Sequence, residues 1–372
     1  MWHARPTGGL QRDMLKDARM HLIVLAGDGI GPEITAATLS VLRAADTLFG
    51  LELRIEEDVA GLESLAQYGA TVRPELVERL RKAEGFVLGP TTTPPPDADG
   101  NVAQGASAIL RRTLDLFANI RPARTWPGLP ARLGEFDLII ARENTEGFYA
   151  DRNMARGNAE MLVTEDVVVS LRKVTRAACL RIAEQAFRLA RTRRKRVTAV
   201  HKANVLKIGD GLFLDACRAV AAEFPDVAMD TVIVDAMAAL LVRDPARFDV
   251  IVTTNMFGDI LSDLAAELSG SLGLGGSLNA GKDHAMAQAA HGSAPDIAGK
   301  GIANPVSLIL SGAMLLAWHG ARHNEARFAK AAAAIETAVA RAIEDGARTR
   351  DIGGELGTAE MGAAVAERVT AA

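Results

Sequence analysis

The stretch FDVIVTTNMFGDILSDLAAEL, residues 248–268, contains the change of period on which the rest of the fold depends. After Phe248, the residues Val250, Ile251 and Val252 form an unbroken apolar run of the kind found in a strand buried on both faces. Gly258 interrupts the run, and a helical period follows it. Asp259 and Asp263 lie four positions apart, so a helix puts them on one face, with Ile260, Leu261 and Leu264 pointing elsewhere. Two carboxylates that close repel each other unless a cation sits between them. Their oxygens suit a hard divalent ion such as Mg2+ or Mn2+. The plainer alternative is a helix N-cap at Asp259 with one solvated acid beside it.

Outward from this stretch, strands and helices alternate, which predicts an α/β fold. MHLIVLA (20–26) reads as a buried strand, and GDGIGPEI (27–34) as a tight glycine-rich turn into a helix faced by Leu39, Val41, Leu42 and Ala45. The turn approaches a dinucleotide-binding fingerprint, but the third glycine of that motif falls on Pro32, which suits the first turn of a helix instead. A strand over 51–60, a helix from Pro74 to Ala83 and a strand at 85–90 precede GPTTTPPPDADG (89–100). That loop is stiffened by prolines and offers the hydroxyls of Thr91, Thr92 and Thr93, either as plain surface or to a ligand.

A helix from about Gln104 to Leu116 carries Arg111 and Arg112, and Arg121 and Arg142 end short strands. A guanidinium fork at a strand end makes a good carboxylate clamp, and Arg111, Arg121 and Arg142 form a site only if they converge. The polar segment 150–161 and the alternating MLVTEDVVVSL (161–171) suggest an arm or hairpin. An amphipathic helix with Ala178, Ile182, Ala186 and Leu189 on one face ends in RTRRKR (191–196), read as a solvated helix C-terminus. VTAVHKANVLKIGDGLF (197–213) is a strand, a turn and a helix start; its Lys202 is either solvated or a base of lowered pKa. Val232 to Asp235 is a strand ending in a third acid. The segments 270–284 and 291–305 read as loops, and a long small-residue loop is usually functional. Helices at 307–320, through Phe328 to Ile343, and near 359–370 complete the order.

The 372 residues allow about two domains. With 42 basic and 46 acidic residues the charge is nearly balanced, which argues against a nucleic-acid binder. No unbroken apolar run is long enough to span a membrane. Residues 1–19 have no apolar core, so a secretion signal is not expected there; a frayed extension is. Cys179 and Cys217 fall inside apolar helical patterns and are expected as buried free thiols, which makes the cytoplasm the expected location.

Six stretches, in this order, resemble the β-decarboxylating dehydrogenases of isocitrate, 3-isopropylmalate, homoisocitrate and tartrate or D-malate: GDGIGPEI, LRRTLDLFANIRP (110–122), RENTEGFY (142–149), HKANVLKIGDGLF (201–213), FDVIVTTNMFGDILSDLA and HGSAPDIAGKGIANP (291–305). The resemblance covers about residues 20–370. It implies a two-domain fold that is not a Rossmann fold, with a large domain from 1–116 and 270–372 and a small one from 117–269. It also implies a homodimer with a β arm near 150–170 and active sites shared between subunits. On this resemblance Arg111, Arg121 and Arg142 hold the carboxylates of a 2-hydroxy di- or tricarboxylate, with Ser107 and Thr93 also at the substrate. Tyr149 and Lys202 are the acid–base pair, and Asp235, Asp259 and Asp263 the Mg2+ or Mn2+ ligands. Thr92 and Asn204 lie near the nicotinamide of NAD, and His291, Gly292, Asp296, Ile297 and Asn304 near its adenosine.

Some positions depart from the family pattern. Gln288 stands where a glutamate is usual, Ser107 and Ala108 replace the leucines of the isopropylmalate branch, Gly105 replaces the serine of the isocitrate branch, and Pro95–Gly100 looks like an insertion. The expected activity is NAD- and metal-dependent oxidative decarboxylation of a 3-substituted (R)-malate, isocitrate or homoisocitrate first. 3-Isopropylmalate, tartrate or D-malate are the alternative substrates. A non-catalytic regulatory subunit is the rival class, which retention of all eight arginine, acid, lysine and tyrosine positions disfavours.

Overall fold

The computed structural model describes residues 20–95, 104–131, 133–149 and 159–371. Residues 1–19, most of the 95–100 segment and the start of the expected arm lie outside the described residues. The strands in chain order are β1 (His21–Leu25), β2 (Arg54–Asp58), β3 (Gly85–Leu88), β4 (Ala118–Arg124), β5 (Asp137–Glu143), β6 (Glu160–Thr164), β7 (Val167–Ser170), β8 (Arg196–His201), β9 (Ala228–Ile233), β10 (Val250–Thr253), β11 (Leu278–Ala280) and β12 (Ala285–Gln288). Ten of them make one sheet in the order β2-β1-β3-β12-β11-β4-β5-β10-β8-β9. The outer pairings are parallel, and the central pairs β12–β11, β11–β4 and β4–β5 are antiparallel.

The helices that matter to the site are α1 (Gly31–Phe49), α4 (Ala106–Thr113), α5 (Arg176–Arg191), α6 (Gly209–Glu223), α7 (Val234–Arg243) and α8 (Asn255–Leu268). Between α1 and α4 lie α2 (Leu62–Tyr68) and α3 (Pro74–Leu80). The chain ends with α9 (Val306–His323), α10 (Ala326–Glu344) and α11 (Thr358–Thr370). The continuous Val250–Val252 run is buried, as a central strand with helices on both faces requires. The apolar clusters on one side draw on residues 20–116 and 274–369, joined by Trp126. Those on the other side draw on residues 118–265.

Several local expectations change. Helix α8 starts at Asn255, not after Gly258, so Gly258 lies inside it and Asp259 is no N-cap. Asp235 sits in the first turn of α7 rather than at the end of β9. The strand expected over 51–60 shortens to Arg54–Asp58, and the helix around Arg111 to Ala106–Thr113. The loop read at 270–284 contains β11, because Leu278 and Ala280 bury their small apolar surface between β4 and β12. RTRRKR is only partly solvated: Arg193 donates to the buried Asp249 at 2.8 Å, and Arg194 donates to the Asp137 carbonyl at 2.8 Å.

Beta strands β6 and β7 form a separate hairpin that exposes Met161, Leu162, Val163, Val167, Val168 and Val169. Its base is closed by reciprocal backbone bonds between Gly147 and Lys173, at 2.8 and 3.0 Å. A two-stranded hairpin with an open apolar face is marginal alone. Both cysteines are buried free thiols, and burial pushes the Cys179 thiol up to about 12. Among the described residues no helix is long and apolar enough to cross a membrane.

Candidate active site

The site begins with one row of residues across the sheet. Asn279 of β11 pairs with Asn119 of β4, Asn119 with Arg142 of β5, and Arg142 with Thr253 of β10. Residues aligned across neighbouring strands share a face, and so do Asn119 and Arg121 two positions apart. Five polar side chains on one face of these strands would be costly in a core unless they were hydrogen-bonded. They are. Asn119 donates to Ser277 Oγ at 2.8 Å, and Arg121 donates through Nε to Asn119 Oδ1 at 2.7 Å. Arg142, only 2 % exposed, donates to the Asn255 carbonyl at 2.9 Å and to Asn255 Oδ1 at 2.6 Å.

Helix α8 brings its acids to the same arginines. Arg142 Nη1 meets Asp259 Oδ1 at 2.5 Å, and Arg121 Nη1 meets Asp263 Oδ1 at 2.9 Å while its Nη2 lies 3.5 Å from Asp259. Burial, aided by the neighbouring Arg121 and opposed by Asp259, pulls the Arg142 guanidinium down to about 10, so it stays charged at neutral pH. Burial raises the Asp263 carboxyl; Arg121 opposes this and the charge of Asp259 adds to it. Gly258 permits the approach of α8: a Cβ there would stand 2.5 Å from Arg142 Cγ and 2.7 Å from its Cβ. Tyr149 lies near Arg142.

Lys202 and Asp235 form a second centre. The Lys202 ammonium is paired with the Asp235 carboxylate, and that hydrogen bond holds the Asp235 carboxyl below its usual range. The fully buried Asp210 accepts from the Lys202 backbone at 2.5 Å and from Arg172 at 2.6 Å, which fixes the turn carrying Lys202. Asn204 is exposed on this turn. Exposed apolar residues lie on the same and neighbouring elements, Val205 and Ile208 after Lys202, Val242 on α7 and Ile260 on α8.

The donor chemistry tests the expected metal. Asp259 and Asp263 supply hard oxygens one turn apart, and the raised Asp263 carboxyl would be relieved by a cation. Among the described residues no three His, Cys, Asp or Glu side chains of one chain gather as a ligand set. Asp235 is therefore not brought to Asp259 and Asp263 within one chain. Two of the three expected ligands lie together and fit the ion, and Asp235 lies apart from them.

A third group lies on α4 and β12. Arg111 Nη2 and Ser107 Oγ donate to Gln288 Oε1, at 3.0 and 3.1 Å. Four loops close on this region. Asp28 accepts from the backbone of Leu62 and Thr92, each at 2.8 Å, and Thr92 and Ser293 share a 2.7 Å hydroxyl bond. Gly27 and Gly29 have positive φ, 74° and 60°, and a Cβ would collide with the carbonyls of Pro90 and Ser293. Thr93 is exposed beside them. Of the expected adenosine residues, Gly292 and Asp296 are exposed and His291 and Ile297 half-buried. The Asn304 side chain already donates to Asp351 at 3.0 Å and accepts from Val306 N at 3.0 Å. Asn119 and Asn255, unassigned from the sequence, are polar residues within or next to apolar strand runs, whereas Asp210 in the first turn of α6 carries no such signal.

The sequence of residues 21–365 matches the family model described as isocitrate/isopropylmalate dehydrogenase. The 3-isopropylmalate dehydrogenase of Archaeoglobus fulgidus is 42 % identical over 346 residues, covering 93 % of this chain and 98 % of that protein. The isocitrate/homoisocitrate dehydrogenase of Thermus thermophilus is 44 % identical over 347 residues, covering 93 % and 97 %. The crystal structure of isocitrate dehydrogenase from Methylococcus capsulatus superposes with a TM-score of 0.84 at 41 % identity, covering 94 % of this chain and 99 % of that one. Identities this close to relatives with different substrates do not choose among them.

Proposed function

The chain belongs to the isocitrate/isopropylmalate dehydrogenase family, and on that premise we propose that it oxidises and decarboxylates a 3-substituted (R)-malate of the isocitrate or homoisocitrate kind. The proposal includes NAD, Mg2+ or Mn2+, and a homodimer with shared sites. The observation that carries the substrate choice is Ser107: its hydroxyl and Arg111 meet at Gln288, one helical turn apart. An isopropyl group needs an apolar wall there; a carboxyl-bearing substituent needs donors. The exposed Asp296 supports NAD over NADP, because an acid accepts from a ribose 2′-hydroxyl and repels a 2′-phosphate.

In this reading Arg111, Arg121 and Arg142 hold the substrate carboxylates and orient C2. Lys202 in its neutral form, or the Asp235 carboxylate paired with it, takes the proton of the C2 hydroxyl. Asp259 and Asp263, with Asp235 of a second copy, would hold a divalent metal that would supply Lewis acidity at the C2 oxygen and for the charge left by decarboxylation, and bound NAD would supply the hydride acceptor. Tyr149 returns a proton to the carbon that lost CO2. The apolar hairpin face and the exposed Val205, Ile208, Val242 and Ile260 support an extensive contact between copies. The buried free thiols support a reducing, cytoplasmic setting.

The test is a panel of isocitrate, homoisocitrate, 3-isopropylmalate, D-malate and tartrate, each assayed with NAD and with NADP. Isocitrate or homoisocitrate should give the highest kcat/KM, and NAD should be preferred. The Asp296→Lys variant should narrow or reverse that cofactor preference. A leading kcat/KM for 3-isopropylmalate would refute the substrate choice, and equal use of both cofactors by the unaltered protein would refute the role of Asp296.

A further inference from the structure

Lys202 leaves β8 on a turn whose backbone is pinned from two sides. His201 Nδ1 accepts from Ala203 N at 3.0 Å, and Asp210 Oδ2 accepts from Lys202 N at 2.5 Å. The Lys202 carbonyl accepts from Val205 N at 2.9 Å and from Leu206 N at 2.8 Å. The two side chains that do the pinning are buried, His201 at 9 % exposure and Asp210 at 0 %, whereas the Lys202 side chain keeps 28 % and ends at Asp235. The β8–β9 register sets His201 opposite Ile233, so the turn starts beside the first turn of α7, where Asp235 stands. A fixed peptide thus carries an accessible amine.

The bond from His201 to the amide two residues on is the turn that Asn and Asp close with their own side chains. A histidine makes it only with a lone pair on Nδ1, so the ring is neutral and carries its proton on Nε2. Burial, aided by Arg218 and opposed by Asp210, lowers the His201 pKa and keeps the ring in that form. Asp210 fixes where the turn starts. His201 fixes the plane of the next peptide, and so the direction in which the Lys202 side chain leaves it.

We propose that His201 is a positioning residue for Lys202: its Nδ1 acceptor orients the Lys202–Ala203 peptide and thereby places the Lys202–Asp235 pair at the C2 hydroxyl of the substrate. This rests on the role proposed above for Lys202 and deepens it. Without the acceptor, the Ala203 amide is left to find another partner and the peptide is free to rotate, while Arg111, Arg121 and Arg142 stay as they are. The proton acceptor is displaced; the carboxylate clamp is not.

His201→Asn and His201→Leu are nearly equal in size and leave the same space behind, but only asparagine offers an acceptor, Oδ1, on the branch where the ring has Nδ1. The single-turnover rate of NADH formation is measured with isocitrate and homoisocitrate, NAD and Mg2+. The Kd of isocitrate is measured by calorimetry with Mg2+ and no NAD, and the thermal midpoint beside it. His201→Leu should slow the rate about 10- to 100-fold, the upper figure being the cost of a 1 Å misplacement. Its isocitrate Kd should stay within about threefold, because the clamp is untouched. His201→Asn should bring the rate back to within about fivefold of the unaltered protein by closing the same turn. Both variants should lower the thermal midpoint alike, since the cavity is shared. In a Lys202→Ala background, His201→Leu should add less than about twofold, because the group through which it acts is gone.

His201→Asn as slow as His201→Leu overturns the proposal, and so does a His201→Leu rate within about twofold of the unaltered protein. A loss of equal size with and without Lys202 overturns it too, since the ring would then act on the site as a whole. If His201→Leu fails to fold, His201→Gln takes its place: its acceptor lies one bond further out and cannot close the same turn, so a rate matching His201→Asn refutes the proposal. Should the unaltered protein turn over isocitrate or homoisocitrate while His201→Leu matches it, only this inference falls. Should it turn over and bind neither, the proposed function falls and takes this inference with it.

Discussion

Gly258→Ala is the smallest change that tests whether α8 seats Arg142. The added Cβ would lie 2.5 Å from Arg142 Cγ, 2.7 Å from its Cβ and 3.2 Å from its Cδ. Ordinary carbon contacts are about 3.5–4.0 Å, so about 1 Å must be found. Arg142 cannot supply it cheaply. Its guanidinium is tied to Asn255 at 2.6 and 2.9 Å and to Asp259 at 2.5 Å, and its backbone lies between β4 and β10. Overpacking of this kind costs about 1–3 kcal/mol. Alanine returns up to about 1 kcal/mol of helix propensity over glycine. Net stability should therefore fall by only about 0–2 kcal/mol, a small displacement of the thermal midpoint. A 1 Å misplacement of a substrate clamp, by contrast, costs about 100-fold in rate. The assay is kcat/KM with the best substrate beside a thermal melt. A variant with full activity and an unchanged melt would show that Arg142 is not fixed by α8.

Three further outcomes follow from the same geometry. Arg111→Ala and Lys202→Ala homodimers should each be nearly inactive, and refolding them together should restore about a quarter of wild-type activity if sites are shared across a two-fold; no recovery despite demonstrated subunit exchange would place both residues in one subunit's site. Excess chelator should abolish turnover and added Mg2+ or Mn2+ restore it, and full activity in chelator would remove Asp259 and Asp263 as ligands. The His319 ring packs on His323 and Phe328, and burial, reinforced by the neighbouring His323, pulls its pKa from 6.5 to about 3. The unfolded chain therefore binds a proton that the fold resists. The stability from neutral His319 is full above about 6.5 and is lost as pH falls toward 3, by up to about 1.4 kcal/mol per pH unit. His319→Leu should flatten the pH dependence of the urea midpoint by about one proton, and an unchanged slope would exclude the ring.

The parts of the fold that were legible in the sequence were those written in period. The Val250–Val252 strand and the apolar faces of α5 and α10 have patterns that admit few other structures. What was not legible was set by contacts distant in sequence. Gly258 reads as a helix breaker, yet it lies inside α8 because Arg142, 116 positions earlier, occupies the space where its side chain would go. Strand β11 is three residues long and exists only between β4 and β12, so no window around it carries a strand signal. Arg193 and Arg194 look like a solvated run until Asp249 and Asp137 are found beneath them. Among site residues, the arginines and acids were legible as chemistry, whereas Asn119, Asn255 and Gln288 matter only through the guanidinium groups they face.

The pairing of charges within one chain bears on why a second copy would be needed. Arg121 and Arg142 face Asp259 and Asp263, two positive charges against two negative, while Asp235 is taken up by Lys202. Each centre is close to neutral as it stands. A substrate placing two carboxylates on these arginines alone would have to displace their acids, leaving two carboxylates unpaired in a partly buried site. A divalent cation approaching the acids alone would strand the two arginines in the same way. Taken up together, the cation and the two carboxylates of the malate core re-pair these groups, and the third carboxylate of isocitrate is left to Arg111. Metal and substrate should therefore bind with positive coupling, and the factor by which Mg2+ lowers the Kd of isocitrate should equal the factor by which isocitrate lowers the Kd of Mg2+. Titrations giving the same isocitrate Kd with and without Mg2+ would show that the arginine–acid pairs do not have to open for the substrate, and the exchange argument would fail.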